Sequence, residues 1–124
     1  MYNRLLLLSL VFLTACNAIL SSPPPDSGIE GRVYVGPMCP VVQFGTDCPD
    51  SPYQAALTVL SLEGRKILQF QTDETGRFKV PLGPGEYILH PESPNGIPFA
   101  TEQTFTVRSG HFTEVIITYD SGIR

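Results

Sequence analysis

Short runs of apolar and β-branched residues, separated by clusters of Gly, Pro, Asn and Asp, recur along most of this chain and constrain its fold more than any other feature. In the last run Val115, Ile117 and Tyr119 fall on one face, as side chains alternate along a strand. No stretch has the length and period of an amphipathic helix, so the pattern predicts an all-β protein. The predicted strands are 29–35, 55–62, 65–72, 77–82, 86–91, 100–107 and 112–119.

Seven short strands in about a hundred residues are typical of a single antiparallel sandwich of two sheets. We therefore assign residues 29–124 to one seven-stranded antiparallel β-sandwich. The turn residues Glu63-Gly64 predict a hairpin between the second and third strands, and Arg108-Ser109-Gly110 predicts another between the last two. The sequence does not decide which face of the second predicted strand is buried, because apolar residues occupy both faces.

The first sixteen residues predict export and lipidation. Arg4 precedes an apolar run, 5–13, that is too short to span a bilayer, which takes about 20 residues, and has the length of a signal-peptide core. The run ends in Leu-Thr-Ala-Cys, which resembles the bacterial lipobox. The resemblance implies removal of a signal peptide, residues 1–15, and acylation of Cys16. The alternative is an ordinary secretory signal that contains a cysteine.

Acylation predicts a protein anchored by lipid in the cell membrane or the outer membrane, facing the periplasm or the exterior. Residues 16–28 form a tether rich in Pro and Ser, and such a composition favours a semi-rigid spacer. The formal net charge is −4 and the Lys and Arg residues are not clustered, so nucleic acid is not an expected partner. We expect a monomeric domain.

Three short motifs follow one another at the spacing of one domain. They are GIEGRVYV at 28–35, TDETGRF at 72–78 and LGPGEY at 82–87. Together they resemble the carboxypeptidase regulatory-like domains, which are related to the transthyretin-like (prealbumin) fold. The physics of the motifs is structural: we expect Asp73 to accept backbone N–H groups within its own turn and Gly76 to adopt a positive φ. A metal or ligand at Asp73 is the alternative.

Some proteins of the transthyretin-like fold are enzymes, so we compare their functional residues with those of this chain. Hydroxyisourate hydrolases of this fold use histidines, an arginine and a C-terminal Tyr-Arg-Gly-Ser, whereas here Tyr119 is followed by Asp120-Ser121. The two histidines, His90 and His111, lie far apart in the sequence. We therefore expect no enzymatic activity and no cofactor, with a transthyretin-like enzyme as the third alternative for function.

Three cysteines leave one pair once Cys16 is acylated. Cys39 and Cys48 each precede a proline, which favours an extended conformation, and the export of the chain favours oxidation. We predict a Cys39–Cys48 disulfide that pins the long loop 36–54. A structural zinc site typically needs four ligands, and a nucleophilic cysteine needs a basic partner, so these alternatives are less favoured.

The sequence thus predicts a non-catalytic sandwich on a membrane anchor. One hypothesis is a binding or adhesion module, in which the exposed aromatic residues of the loops contact an envelope protein or a glycan. The other is a structural or accessory domain that stabilises a partner complex in the envelope. The candidate binding residues are Tyr34, Phe44, Tyr53 and Phe99.

Overall fold

A computed structural model describes residues 26–40 and 48–123, and these residues form an all-β structure. The predicted signal peptide, Cys16, most of the tether and Phe44 lie outside the described residues. No helix in the described part has the length and apolarity needed to cross a membrane. The strands are β1 (Gly28–Gly36), β2 (Ser51–Pro52), β3 (Ala56–Leu60), β4 (Lys66–Gln71), β5 (Arg77–Pro81), β6 (Gly85–Pro91), β7 (Gln103–Val107) and β8 (Phe112–Asp120).

All seven predicted strands are present, and β2 is an eighth that the sequence analysis missed. It pairs with the end of β1 through Tyr34 opposite Pro52 and Val35 opposite Ser51. A strand of two residues carries no alternation, and a proline within it argues against a strand. Only the pairing with β1 reveals it.

The strands form two sheets of four. In the first sheet β1 is central. β8 pairs with one edge of β1, while β5 and β2 pair with successive parts of its other edge. The second sheet has the order β4-β3-β6-β7. The pairs are antiparallel except for β8, which runs parallel to β1. The antiparallel prediction is wrong for this pair, because the chain builds the whole second sheet between β1 and β8 and thereby supplies the crossover that parallel strands need.

The predicted hairpin between β3 and β4 is confirmed, whereas that between the last two strands is wrong. β7 pairs with β6 in the second sheet, while β8 pairs with β1 in the first. Side chains connect the two edges: Thr113 Oγ1 donates to the carbonyl of Thr106 at 2.6 Å, and Gln103 Nε2 to that of Ile116 at 3.2 Å. β7 and β8 each have one buried apolar face. Because the chain crosses from the second sheet to the first between them, both faces pack against the same core.

The core lies between the two sheets. Leu57 and Val59 of β3 are fully buried, whereas Leu62 is 49% exposed, which decides the face that the sequence left open. Burying these side chains is the main favourable term in the folding of such a domain. The buried hydrophobic residues are Ile29, Val33, Ala55, Leu57, Val59, Phe78, Val80, Leu82, Leu89, Ala100, Phe105, Val107, Val115, Ile117 and Tyr119.

The turn before β5 has the structure that its motif predicts. Asp73 Oδ1 accepts hydrogen bonds from the backbone N–H groups of Thr75 and Arg77, both at 2.9 Å, and from the Thr75 hydroxyl at 2.7 Å. Gly76 has φ +76°, and a Cβ there would overlap the carbonyl oxygen of Val33. The hydroxyl of Thr75 and the N–H of Arg77 lower the pKa of Asp73. The turn therefore uses Asp73 as a structural acceptor.

Candidate functional site

The strand β1 leads from the end of the domain at which the described chain begins to the end that carries the long loops. Gly28 begins β1 and its N–H donates to the carbonyl of His111 at 3.1 Å, so this end of β1 lies beside the β7–β8 connection. Eight residues later β1 ends at Gly36, roughly 26 Å away at the usual rise per residue. We call the loop-bearing end the tip; its described residues are 37–40, 48–50, 92–102 and 121–123.

A disulfide closes the first tip loop. Cys39 and Cys48 are bonded with an S–S distance of 2.02 Å, and their α-carbons are 6.2 Å apart. The predicted pairing is thus confirmed. Below the bridge Gly36 is buried, and a Cβ at this position would overlap the Asp50 carboxylate. The loop can close this tightly against the end of β1 because Gly36 has no side chain.

Hydrogen bonds from the end of β8 and from Ser121 connect the tip segments. The Ser121 N–H donates to the carbonyl of Gly36 at 2.9 Å, and its hydroxyl donates to the carbonyl of Pro37. Asp120 and Phe99 exchange two backbone hydrogen bonds, of 2.7 and 3.1 Å. The disulfide loop, the β6–β7 loop and the end of β8 therefore form one connected surface.

Three apolar side chains are exposed on this surface. Ile97 is 61% exposed, Phe99 is 53% exposed and Met38 is 42% exposed. Phe99 was predicted from sequence as a candidate binding residue, whereas Ile97 and Met38 were not. An aliphatic residue beside a proline gives no signal in the sequence that it remains in solvent, and the tertiary structure alone shows it.

Tyr34 and Tyr53, the two other candidate residues within the described part of the chain, do not join this group as exposed rings. Tyr53 is half-buried: it packs against the core, with its ring centroid 5.0 Å from that of Tyr119. The expectation that Tyr53 is exposed is therefore wrong, because the short β2 pairing draws residues 51–53 against β1. Tyr34 is also only partly exposed, and the Arg32 guanidinium lies 5.7 Å from its ring centroid.

Buried and half-buried polar groups support the second tip loop from below. The Tyr119 hydroxyl donates to the carbonyl of Glu92 at 2.9 Å, and Thr58 Oγ1 donates to the carboxylate of Glu92 at 2.6 Å. Burial raises the pKa of Tyr119, since the charged phenolate would lose its hydration. These bonds fix the point at which the loop that carries Ile97 and Phe99 leaves β6.

His90 lies beside this support and contacts two carboxylates. Its Nδ1 is 2.7 Å from Glu102 Oε1, and its Nε2 is 3.9 Å from Glu92 Oε1. Within residues 26–40 and 48–123 no group of three or more His, Cys, Asp or Glu side chains is arranged to hold a metal ion. An exposed histidine–carboxylate pair of this kind contributes little to stability.

Comparison with known proteins bears on the fold. No family model matches the chain, and no curated protein matches it. A solved structure of the Bacillus anthracis TIE protein superposes on 77% of this chain with a TM-score of 0.50 and 21% sequence identity. The domain is a β-sandwich. The chain covers only 17% of the length of that neighbour, and at this level of identity the likeness concerns the fold alone.

Proposed function

We propose that this chain is a lipid-anchored protein of the bacterial cell envelope whose non-catalytic sandwich binds a protein or carbohydrate partner through the tip. In this proposal the domain belongs to the carboxypeptidase regulatory-like group within the transthyretin-like fold, as its three motifs suggest. Cys16 carries the lipid and residues 16–28 hold the domain away from the membrane.

The observation that carries the proposal is the direction in which β1 runs through the domain. The tether enters at Gly28, and the disulfide loop begins just after Gly36 at the opposite end of the same strand. A domain anchored through its N-terminus would therefore direct the tip away from the lipid surface. Loops held on a rigid sandwich are a common location for recognition.

The chemistry of the tip supports binding. Met38, Ile97 and Phe99 place apolar side chains in solvent within a surface that is cross-linked by hydrogen bonds and a disulfide. Exposed apolar groups on an ordered surface reduce the entropy lost on association, because little must be immobilised. Aromatic and Met side chains are also enriched where proteins contact one another.

A binding role also agrees with the state of the reactive side chains. The sulfur atoms of Cys39 and Cys48 are joined to each other, so neither is available as a thiolate nucleophile. Within residues 26–40 and 48–123 the polar contacts of the His90 imidazole are with the carboxylates of Glu102 and Glu92 and not with a hydroxyl or thiol that it might activate.

Site-specific photo-crosslinking in the native envelope tests the proposal. A photoreactive amino acid replaces Phe99 at the tip or, as a matched control, Leu62, which is 49% exposed in the β3–β4 turn. We expect one discrete adduct from position 99 that is absent from position 62, and weaker crosslinking from position 99 when Ile97 is changed to Asn. Equal adducts from both positions, or none from either, would contradict binding through the tip.

A further inference from the structure

The outer face of the first sheet carries an open cleft of about 500 Å³, separate from the tip loops. Its volume is in the range of small-molecule sites. Charged side chains of both signs line it, contributed by β1, β5, β8 and the turn before β5. They are Glu30, Arg32, Asp73, Arg77, Lys79 and Glu114.

Two arginines face each other across the centre of this cleft. Arg32 of β1 and Arg77 of β5 are direct register partners on antiparallel strands, where Cβ atoms are about 5 Å apart. Like charges in this position destabilise a pair of strands unless an anion lies between them. Among the described residues the ion pairs are those of His90, so neither guanidinium has a carboxylate within 4.0 Å.

Arg32 is held in place but lacks an acceptor. Its guanidinium lies 5.7 Å from the centre of the Tyr34 ring, a cation–π contact that restricts the side chain. Its Nε atom is buried and has no hydrogen-bond partner among residues 26–40 and 48–123. A buried donor without an acceptor is rare in folded proteins. Because Nε is covered, a ligand in the cleft would contact Arg32 through its terminal nitrogens, which are not among the buried unpaired atoms.

The nearby carboxylates do not fill this role. Asp73 Oδ1 accepts three hydrogen bonds within its own turn, and the Arg77 guanidinium interacts with this carboxylate electrostatically but forms no ion pair within 4.0 Å with it in the described part of the chain. Glu30 lies two residues from Arg32 along β1, or roughly 7 Å, and Glu114 is the register partner of Glu30. Glu30 and Glu114 therefore lie side by side on the sheet, two positions along β1 from the pair Arg32 and Arg77.

We infer that Arg32 and Arg77 form a binding site for the carboxylate group of a small ligand. The two terminal nitrogens of an arginine form a planar fork that matches two carboxylate oxygens, and the second arginine supplies a further charged donor. The three acidic residues around the cleft disfavour ions of higher negative charge. The site lies on the sheet face and is independent of binding through the tip.

The experiment follows the Nε–Hε resonances of the full chain, labelled with ¹⁵N-arginine and purified in detergent, during ligand titration. Glucuronate and N-acetylglycine represent the carboxylates of a sugar acid and of a peptide C-terminus, and glucose and N-acetylglycinamide are their neutral counterparts. We expect saturable shifts of the Arg32 and Arg77 resonances with at least one carboxylate in the low millimolar range. The tighter of the two identifies the source of the carboxylate.

Three results would overturn the inference: no saturable shift with either carboxylate, equal shifts with the neutral counterparts, or tighter binding of inorganic phosphate. A variant adds a second criterion. Arg77→Gln is expected to weaken binding at least roughly tenfold, since a charged hydrogen-bond donor is lost.

The control is Arg65→Gln, which changes an exposed arginine at the β3–β4 turn and is expected to leave affinity unchanged. Because Arg77→Gln removes a like-charge pair, we expect the unliganded variant to be no less stable than the parent protein. Equal weakening by both substitutions would show that the effect is one of net charge and would contradict a site at Arg32 and Arg77.

Discussion

Removal of the tip disulfide should cost a predictable amount of stability without unfolding the sandwich. The perturbation is the double substitution Cys39→Ser and Cys48→Ser, which leaves no unpaired thiol in the loop. The buried hydrophobic residues that flank this loop in the sequence are Val33 and Ala55, and none lies in its described part. The substitution therefore changes the cross-link and leaves the core unaltered.

The magnitude follows from the length of the closed loop. The two cysteines are separated by 9 residues in the sequence. The chain-entropy relation for a loop of this length gives roughly 2.6 kcal/mol at 25 °C, gained by restricting the unfolded chain. For a domain of about 100 residues this corresponds to a decrease in Tm of roughly 10–20 °C. The bonds from Ser121 to Gly36 and Pro37 remain in the variant, so the end of β1 stays paired.

The assay is urea unfolding of the parent and the double variant, each with and without a thiol reductant. We expect the variant and the reduced parent to agree within about 0.5 kcal/mol, and the reductant to leave the variant unchanged. The slope of the free energy of unfolding against urea should rise in both, because an uncross-linked denatured chain exposes more surface. A loss below about 0.5 kcal/mol would refute the entropic account. A variant that does not fold would refute the independence of core and loop.

Three further predictions follow. Cys16→Ala should abolish labelling with a palmitate analogue, and equal labelling of the variant and the parent would contradict the anchor. Tyr119→Phe should lower the free energy of unfolding by about 1–2 kcal/mol, because the Glu92 carbonyl loses its donor. Since burial raises the pKa of Tyr119, the stability of the parent should fall as pH rises above about 10, and that of Tyr119→Phe should fall less in urea unfolding at alkaline pH. Asp73→Asn should destabilise the protein at neutral pH, and the difference should shrink as the pH falls below about 4 and through the folded pKa of Asp73, which is lowered; an unchanged difference in acid would contradict this.

Features that depend on a few neighbouring residues could be predicted from the sequence. Short apolar and β-branched runs located all the longer strands, and Asp73 accepts backbone N–H groups within its own turn as predicted, with Gly76 at a positive φ. In the motif LGPGEY the hydroxyl of Tyr87 donates to the carbonyl of Gly83 at 2.6 Å. The Cys39–Cys48 disulfide could also be predicted from the sequence, because the loop is short and only two cysteines remain once Cys16 is assigned to the lipid.

The tertiary structure decided which strands share a sheet and which side chains remain exposed. The turn before β8 reads as a hairpin, yet β8 lies parallel to β1 in the other sheet, because both β7 and β8 must bury one apolar face in the same core. The pairing of β2 with β1 draws Tyr53 inward, whereas Ile97 and Phe99 remain in solvent. The pairing of β5 with β1 sets Arg32 opposite Arg77, 45 positions apart in the chain. Register between distant strands depends on the summed burial of whole faces, and no local window of sequence contains that sum.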